Sequence, residues 1–295
     1  MFFLGRKLWG SLAGLIAGAV YLYAPYHLFI LYSYEAWGEM TSYIFPPLIL
    51  YLILSFLVSQ KTVNTFEREK DSRRKINRLE EFLSGIIVGL RDTWQIICIT
   101  VFLVLFILSH NISAMITIPV ILLLGWMYSF AHKKLSYFIW IIWAFISALL
   151  CSAFFVIPSV TLSKLINFSE LISNEMNMRG TYFKPIGEQI VTAIKVIKTG
   201  YVNYYEFTVG LPIILAGFVG LVIVIHQIRK NKNVVDIYVI IGLIMLLLIS
   251  LFLANPISTN IWNIQLLHYL VYPYRFLYIS TFAGSLLSGW VISNF

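Results

Sequence analysis

Three short stretches carry residue types able to do chemistry. In LYSYEAWGEM (31–40), Glu35 and Glu39 stand four apart, so on a helix they share a face. Two carboxylates that close raise the pKa of one of them, which suits proton transfer to or from a hydroxyl; the alternative is that both face water. In LSHNIS (108–113), His110 and Asn111 fall at a tight turn between two apolar runs. Ser109 or Asn111 can cap the helix that follows, Asn111 being the better suited, and His110 is either an acid, base or ligand or simply a turn histidine. In LLHYLVYPYRFLYIS (266–280), Arg275 sits among Tyr272, Pro273 and Tyr274, with His268 upstream. A charge inside lipid costs roughly 2.5–3.5 kcal/mol on insertion scales. A guanidinium at a helix start is a two-pronged donor suited to an anion, phosphate above all. Its rival reading is an ion pair with Glu35 or Glu39.

The elements that must position these residues are apolar. The 295 residues are 60% hydrophobic and 12% charged, with a mean hydropathy of +0.85. A soluble domain of this size cannot hide so much apolar surface, so lipid is the expected solvent. Runs of about spanning length fall at 8–24, 41–59, 93–109, 112–131, 136–157, 207–227, 236–254 and 275–293. The expected fold is all-α: one polytopic transmembrane domain over residues 1–295, about eight transmembrane helices and a cytoplasmic amphipathic helix.

Basic residues set the orientation. With both termini in the cytoplasm, 14 of the 21 Lys and Arg fall in cytoplasmic segments and six in external ones, as the positive-inside bias requires. The charged segment 60–92 is then cytoplasmic. Within it Leu79, Phe82, Leu83, Ile86, Ile87 and Leu90 repeat on one helical face, which predicts a helix lying on the bilayer surface or a solvated linker helix. Glu35, Glu39, His110, Arg275 and the long loop 158–205 all collect on the external side. That loop is read as a partly helical cap or as a plain connector.

Several classes are excluded. The +8 net charge is topology information, because the basic residues form no nucleic-acid reader motif. Cys98 and Cys151 lie in apolar runs and read as small hydrophobes. No phosphate loop, HExxH, CxxC or GxSxG occurs. The N-terminal run continues past Leu22 without a small-x-small cleavage site, which reads as a retained helix.

The succession of YLYAPYHLFILYSYEAWGEMTSYIFPPLIL, LSHNI, SAFFVIPSV, YYEFTVGLP and the IW…LLHYLVYPYRFL run resembles the bacterial and archaeal membrane proteins labelled 6-pyruvoyl-tetrahydropterin synthase-related. The pterin label misleads, since no three-histidine zinc site is present. That family is similar to the GT-C glycosyltransferases and the YfhO-like membrane proteins. The resemblance implies an enzyme that takes a sugar from a polyprenyl-phosphate lipid at the extracytoplasmic face. It also implies an aspartate on the first external loop, as base or metal ligand, and a basic residue holding the lipid phosphate.

Carried over position by position, Glu39 matches the family glutamate, His110 and Asn111 its His-Asn turn, and Arg275 its arginine, whereas Tyr34 stands where the family has an arginine. Glu39, Glu35 and His110 are then the catalytic candidates. Arg275, Tyr274, Asn111, Tyr34 and His268 are the substrate-binding ones, and no metal ligand is assigned. Asp71, Asp92 and Asp236 are expected at the cytoplasmic side, so the chain reads as a fragment or truncated reading frame lacking the family's external acid. No cofactor is assigned, a divalent metal belonging at most to the full-length family. The expected partners are membrane lipid and the polyprenyl-phosphate sugar donor, with no nucleic acid. A lipid-linked glycan flippase and a non-catalytic assembly protein are the competing readings. The flippase requires polar residues through the bilayer centre, of which the spans look nearly devoid.

Overall fold

The computed structural model describes residues 1–32, 36–73, 78–162, 187–188, 191, 195, 208–230, 235–264, 267, 270 and 272–295, without the side chains of 60–88, 235, 236 and 263. The described residues are all helical, with no strand: α1 Phe2–Trp9, α2 Ser11–Leu22, α3 Pro25–Tyr32, α4 Trp37–Ser42, α5 Phe45–Arg73, α6 Arg78–Ser109, α7 Asn111–Ala131, α8 Leu135–Cys151, α9 Ala153–Leu162, α10 Leu211–Arg229, α11 Val235–Leu253 and α12 Leu277–Ser293. Short 3₁₀ helices cover Pro256–Asn263 and Pro273–Phe276.

Five stretches are long and apolar enough to cross a membrane as they stand: Trp37–Ser59, Gly89–Ser109, Asn111–Ala131, Leu211–Arg229 and Pro273–Ser293. Three further pairs qualify if each bent pair is one span. They are α2 with α3, bent by 44°, α8 with α9, bent by 62°, and Ile237–Leu253 with Pro256–Trp262, bent by 85°. These eight units coincide with the eight apolar runs. Two of the bends fall at prolines, where a missing N–H breaks the ladder.

Two local expectations change. The first run does not start straight into its span: Gly10, at φ 94°, folds α1 back against α2. The hairpin closes because it is faced with glycine: a Cβ on Gly14 would stand 2.6 Å from the Phe2 carbonyl oxygen. The amphipathic stretch 79–90 is also no separate element. It is the opening of α6, which runs without a break from Arg78 to Ser109 because no proline interrupts it. Most of the 158–205 loop lies outside the described residues; its start, through Leu162, belongs to α9.

The centre of the bundle is α12. Every residue from Leu277 to Val291 is buried, because small residues let neighbours approach its backbone. A Cβ on Gly289 would lie 2.5 Å from the Ala13 carbonyl oxygen on α2, and one on Gly284 would lie 2.2 Å from Ile213 on α10. Ser280 also bonds Ser250 of α11, oxygen to oxygen at 2.7 Å. Opposite the end that holds Glu39, Lys134 donates its ammonium to the Leu57 carbonyl, Lys7 lies 5.3 Å over the Tyr51 ring, and Gln227 bonds Asn294 at 2.9 Å. A small cavity of about 20 Å³ near that end is lined by apolar side chains and Tyr128.

The contact at Gly289 is backbone against backbone, so it has little room to relax. Gly289→Ala should destabilise the protein by about 1–3 kcal/mol, the usual cost of overpacking. Gly89 on α6 has open space around its Cβ position, so Gly89→Ala should gain up to about 1 kcal/mol of helix propensity. Thermal unfolding of both variants in one detergent checks the pair, and equal losses would sink the close-approach account.

Candidate functional site at the Glu39 end

The polar cluster begins at the break between α2 and α3. Pro25 has no N–H for the Tyr21 carbonyl one turn back, so that carbonyl needs another donor. The His27 Nδ1 supplies it at 3.2 Å, which fixes the proton on that nitrogen. The His27 ring then stacks on Tyr43 at 4.2 Å with the planes 3° apart, and the Tyr21 hydroxyl donates to the Tyr43 carbonyl at 2.8 Å. Tyr21, His27 and Tyr43 thus bind the helix break to the α4–α5 turn.

Glu39 lies in the first turn of α4 and is only 2% exposed. The Tyr26 hydroxyl donates to its Oε1 at 2.7 Å. The Ser42 hydroxyl donates to the Glu39 backbone carbonyl at 2.5 Å and meets the Tyr278 hydroxyl at 3.2 Å. The rings of Tyr26, Tyr43, Tyr274 and Tyr278 pack around this carboxyl, with Tyr43 and Tyr278 centred 4.3 Å apart and Tyr26 and Tyr274 6.3 Å apart. Gly38 brings α4 onto the α6–α7 turn: a Cβ there would lie 3.0 Å from the Ser109 carbonyl oxygen and 3.7 Å from the His110 ring.

His110 caps α7. Its Nδ1 accepts from the Ser113 backbone N–H at 3.2 Å and meets the Ser113 hydroxyl at 2.7 Å. Asn111, expected as the better capping residue, is the first residue inside the helix, and its side chain is exposed. Histidine is not among the favoured caps, so its neighbours drew the assignment. Burial, and behind it the positive charge of Arg275, pushes the His110 pKa down to about 4, leaving the ring neutral and able to accept at neutral pH.

Arg275 sits in the 3₁₀ turn before α12. One terminal nitrogen donates to the Leu270 carbonyl at 2.6 Å, the guanidinium lies 5.2 Å over the Tyr272 ring, and Nε is buried with no hydrogen-bond partner. Its charge acts on both Glu39 and His110, yet it forms no ion pair with a described carboxylate, the pair among the described residues being the exposed Arg91–Asp92. Glu39, His110, Tyr274 and Arg275 are therefore brought to one end of the bundle. Tyr34, Glu35 and His268 lie outside the described residues, as does the expected Glu35–Glu39 pair. Among the described residues no three His, Cys, Asp or Glu gather to hold a metal ion.

Sequence reasoning missed Tyr26, Tyr43 and Tyr278, whose link to Glu39 has no periodic signature. It left a path lined by Ser, Thr and Tyr open without naming positions; Thr117, Ser129, Ser250, Ser280, Thr281, Ser285 and Ser288 are all buried. No family model, curated protein or solved structure matches the chain.

Two outcomes follow from this geometry. Tyr26→Phe removes the donor to a buried carboxyl and should cost about 1–3 kcal/mol of stability; an unchanged unfolding midpoint would mean that Glu39 finds another donor. The folded His110 binds its proton less readily than the unfolded chain, whose histidine titrates near 6.5. Its contribution is therefore complete above about pH 6.5 and drains away as the pH falls toward 4. His110→Asn keeps a capping side chain without the titration, so its unfolding midpoint should vary less with pH over that window than the parent's.

Proposed function

We propose that the chain is a GT-C-like membrane glycosyltransferase, or a part of one, that takes its sugar from a polyprenyl-phosphate donor at the extracytoplasmic face of a bacterial or archaeal cell membrane. The observation that carries the reading is the state of Arg275. It stands at one end of an apolar bundle, its Nε is buried with no hydrogen-bond partner among the described residues, and no described carboxylate lies in ion-pair contact with it, Glu39 acting on it only from a distance. A buried donor of this kind is satisfied by an anion that arrives from outside the protein.

The surroundings support an anion. His110 is neutral and adds no competing charge, and the start of α12 contributes partial positive charge. The basic residues Lys7, Lys134, Arg229 and Lys230 belong to the opposite end, which fits cytoplasmic termini and an external Arg275. In such a transfer the guanidinium stabilises the departing phosphate. Glu39 is enclosed by tyrosines, so its part is to fix α4 against the turn bearing His110, with His110 the more exposed of the two candidate bases.

One observation favours the assembly reading as a second possibility. The bond from Arg275 to the Leu270 carbonyl and its stacking on Tyr272 are also what a purely architectural arginine does.

The two separate on substitution. On the transferase reading, Arg275→Gln weakens binding of a polyprenyl monophosphate to the protein in lipid nanodiscs by about 10-fold or more, the worth of a charge-assisted hydrogen bond. Arg275→Lys keeps part of the affinity. A lowered unfolding midpoint with unchanged binding leaves the architectural role standing and removes the donor site.

A further inference from the structure

The hydroxyl groups on one side of α12 form a pattern that does not depend on the donor reading. Tyr278, Thr281, Ser285 and Ser288 follow one another at three- and four-residue steps, the spacing of a single helical face. The contacts of two glycines locate that face. Gly289 meets α2 at Ala13 and Ala17, and Gly284 meets α10 at Ile213. With about 100° of rotation per residue, Thr281, Ser285 and Ser288 fall in the sector between those two contacts. At its upper end the face reaches the tyrosine cluster, where Tyr278 packs on Tyr43 and bonds Ser42.

A serine or threonine inside a spanning helix ordinarily bonds back to its own preceding turn. Ser288 does so, to the Gly284 carbonyl at 2.8 Å, and Ser280 is held by Ser250 at 2.7 Å. Thr281 and Ser285 do neither. Both are completely buried, and their hydroxyl oxygens have no partner among the described residues; the buried Tyr43 hydroxyl next to Tyr278 likewise has none. Two unpartnered hydroxyls on one sector of α12, with a third on Tyr43 beside Tyr278, are costly in an apolar bundle unless something polar reaches them.

We propose that the sector of α12 between α2 and α10 is a buried hydration site, where water bonds the hydroxyls of Thr281 and Ser285 and reaches Tyr43 at the edge of the Glu39 cluster. Water is the ligand that fits, because each group needs one small partner able both to donate and to accept.

The test removes the hydroxyls without changing shape. Thr281→Val and Ser285→Ala are compared with the parent and with Thr281→Ser, which keeps its hydroxyl, by thermal unfolding in detergent. If water satisfies the groups, each deletion lowers the midpoint by about 2–4 °C and Thr281→Ser does not. If the hydroxyls have no partner, their removal leaves the midpoint unchanged or raises it, and the proposal fails. A second readout separates water from a relaxed contact within the protein. An experimental structure at a resolution that shows ordered water supplies it. Density for water within about 3.2 Å of the Thr281 and Ser285 hydroxyls supports the hydrated sector; hydroxyls turned onto their own helix carbonyls, with no water between, overturn it.

Discussion

Lipid offers no hydrogen bonds, so every backbone carbonyl that a broken helix releases must be met from within the protein. This requirement organises the whole Glu39 end. The Tyr21 carbonyl, orphaned by Pro25, is taken by His27, and the Tyr43 carbonyl by Tyr21. Where α11 stops, the Leu253 carbonyl receives the Trp262 indole at 3.1 Å and the Ser258 hydroxyl at 3.0 Å. Before α12 the Leu270 carbonyl receives Arg275. The side chains that look like chemistry in the sequence are, first of all, what permits irregular backbone at that end.

Architecture and chemistry are therefore made of the same residues. The Tyr26–Glu39 bond fixes a carboxyl and also ties α3 to α4 across a stretch outside the described residues. Arg275 spends one nitrogen on backbone and keeps Nε unspent. A group with a surplus donor after its structural duty is done is the kind of group a ligand can use. The hydroxyls of Thr281 and Ser285 are in surplus as well: both are buried, and neither bonds back to its own helix as Ser288 does.

Much of this was legible in the sequence, and the limits have physical causes. Apolar length located the five helices long enough to cross a membrane and the three bent pairs that qualify if each is one span, since hydropathy along the chain measures what a span needs. It could not find the fold-back at Gly10, which rests on one positive φ and on glycines meeting across a hairpin. Glu39, His110 and Arg275 stood out as charges or titratable groups among apolar neighbours, and the structure gathers them at one end. Their partners did not stand out. Tyr26 lies 13 residues from Glu39 and Tyr278 lies 236 from Ser42, and no local rule links such positions. Serine and threonine in the spans were discounted because an average over a window dilutes them, although burial makes each one count. Asn111 was favoured as a cap on residue type, yet the turn places His110 one position earlier, where its ring meets the Ser113 amide.

The burial of α12 has a consequence for how the protein is made. Among the described helices, α12 is synthesised after every one it touches. Until it arrives, the glycine and alanine face of α2 and the Ile213 side of α10 have nothing to close upon. Helices α5, α6, α7 and α8 pack on one another and can do so before α12 arrives, but the faces of α2 and α10 that it covers stay uncovered until then. The part of the polar end built on Tyr274 and Tyr278 is thus formed only when the segment leading into α12 reaches its place.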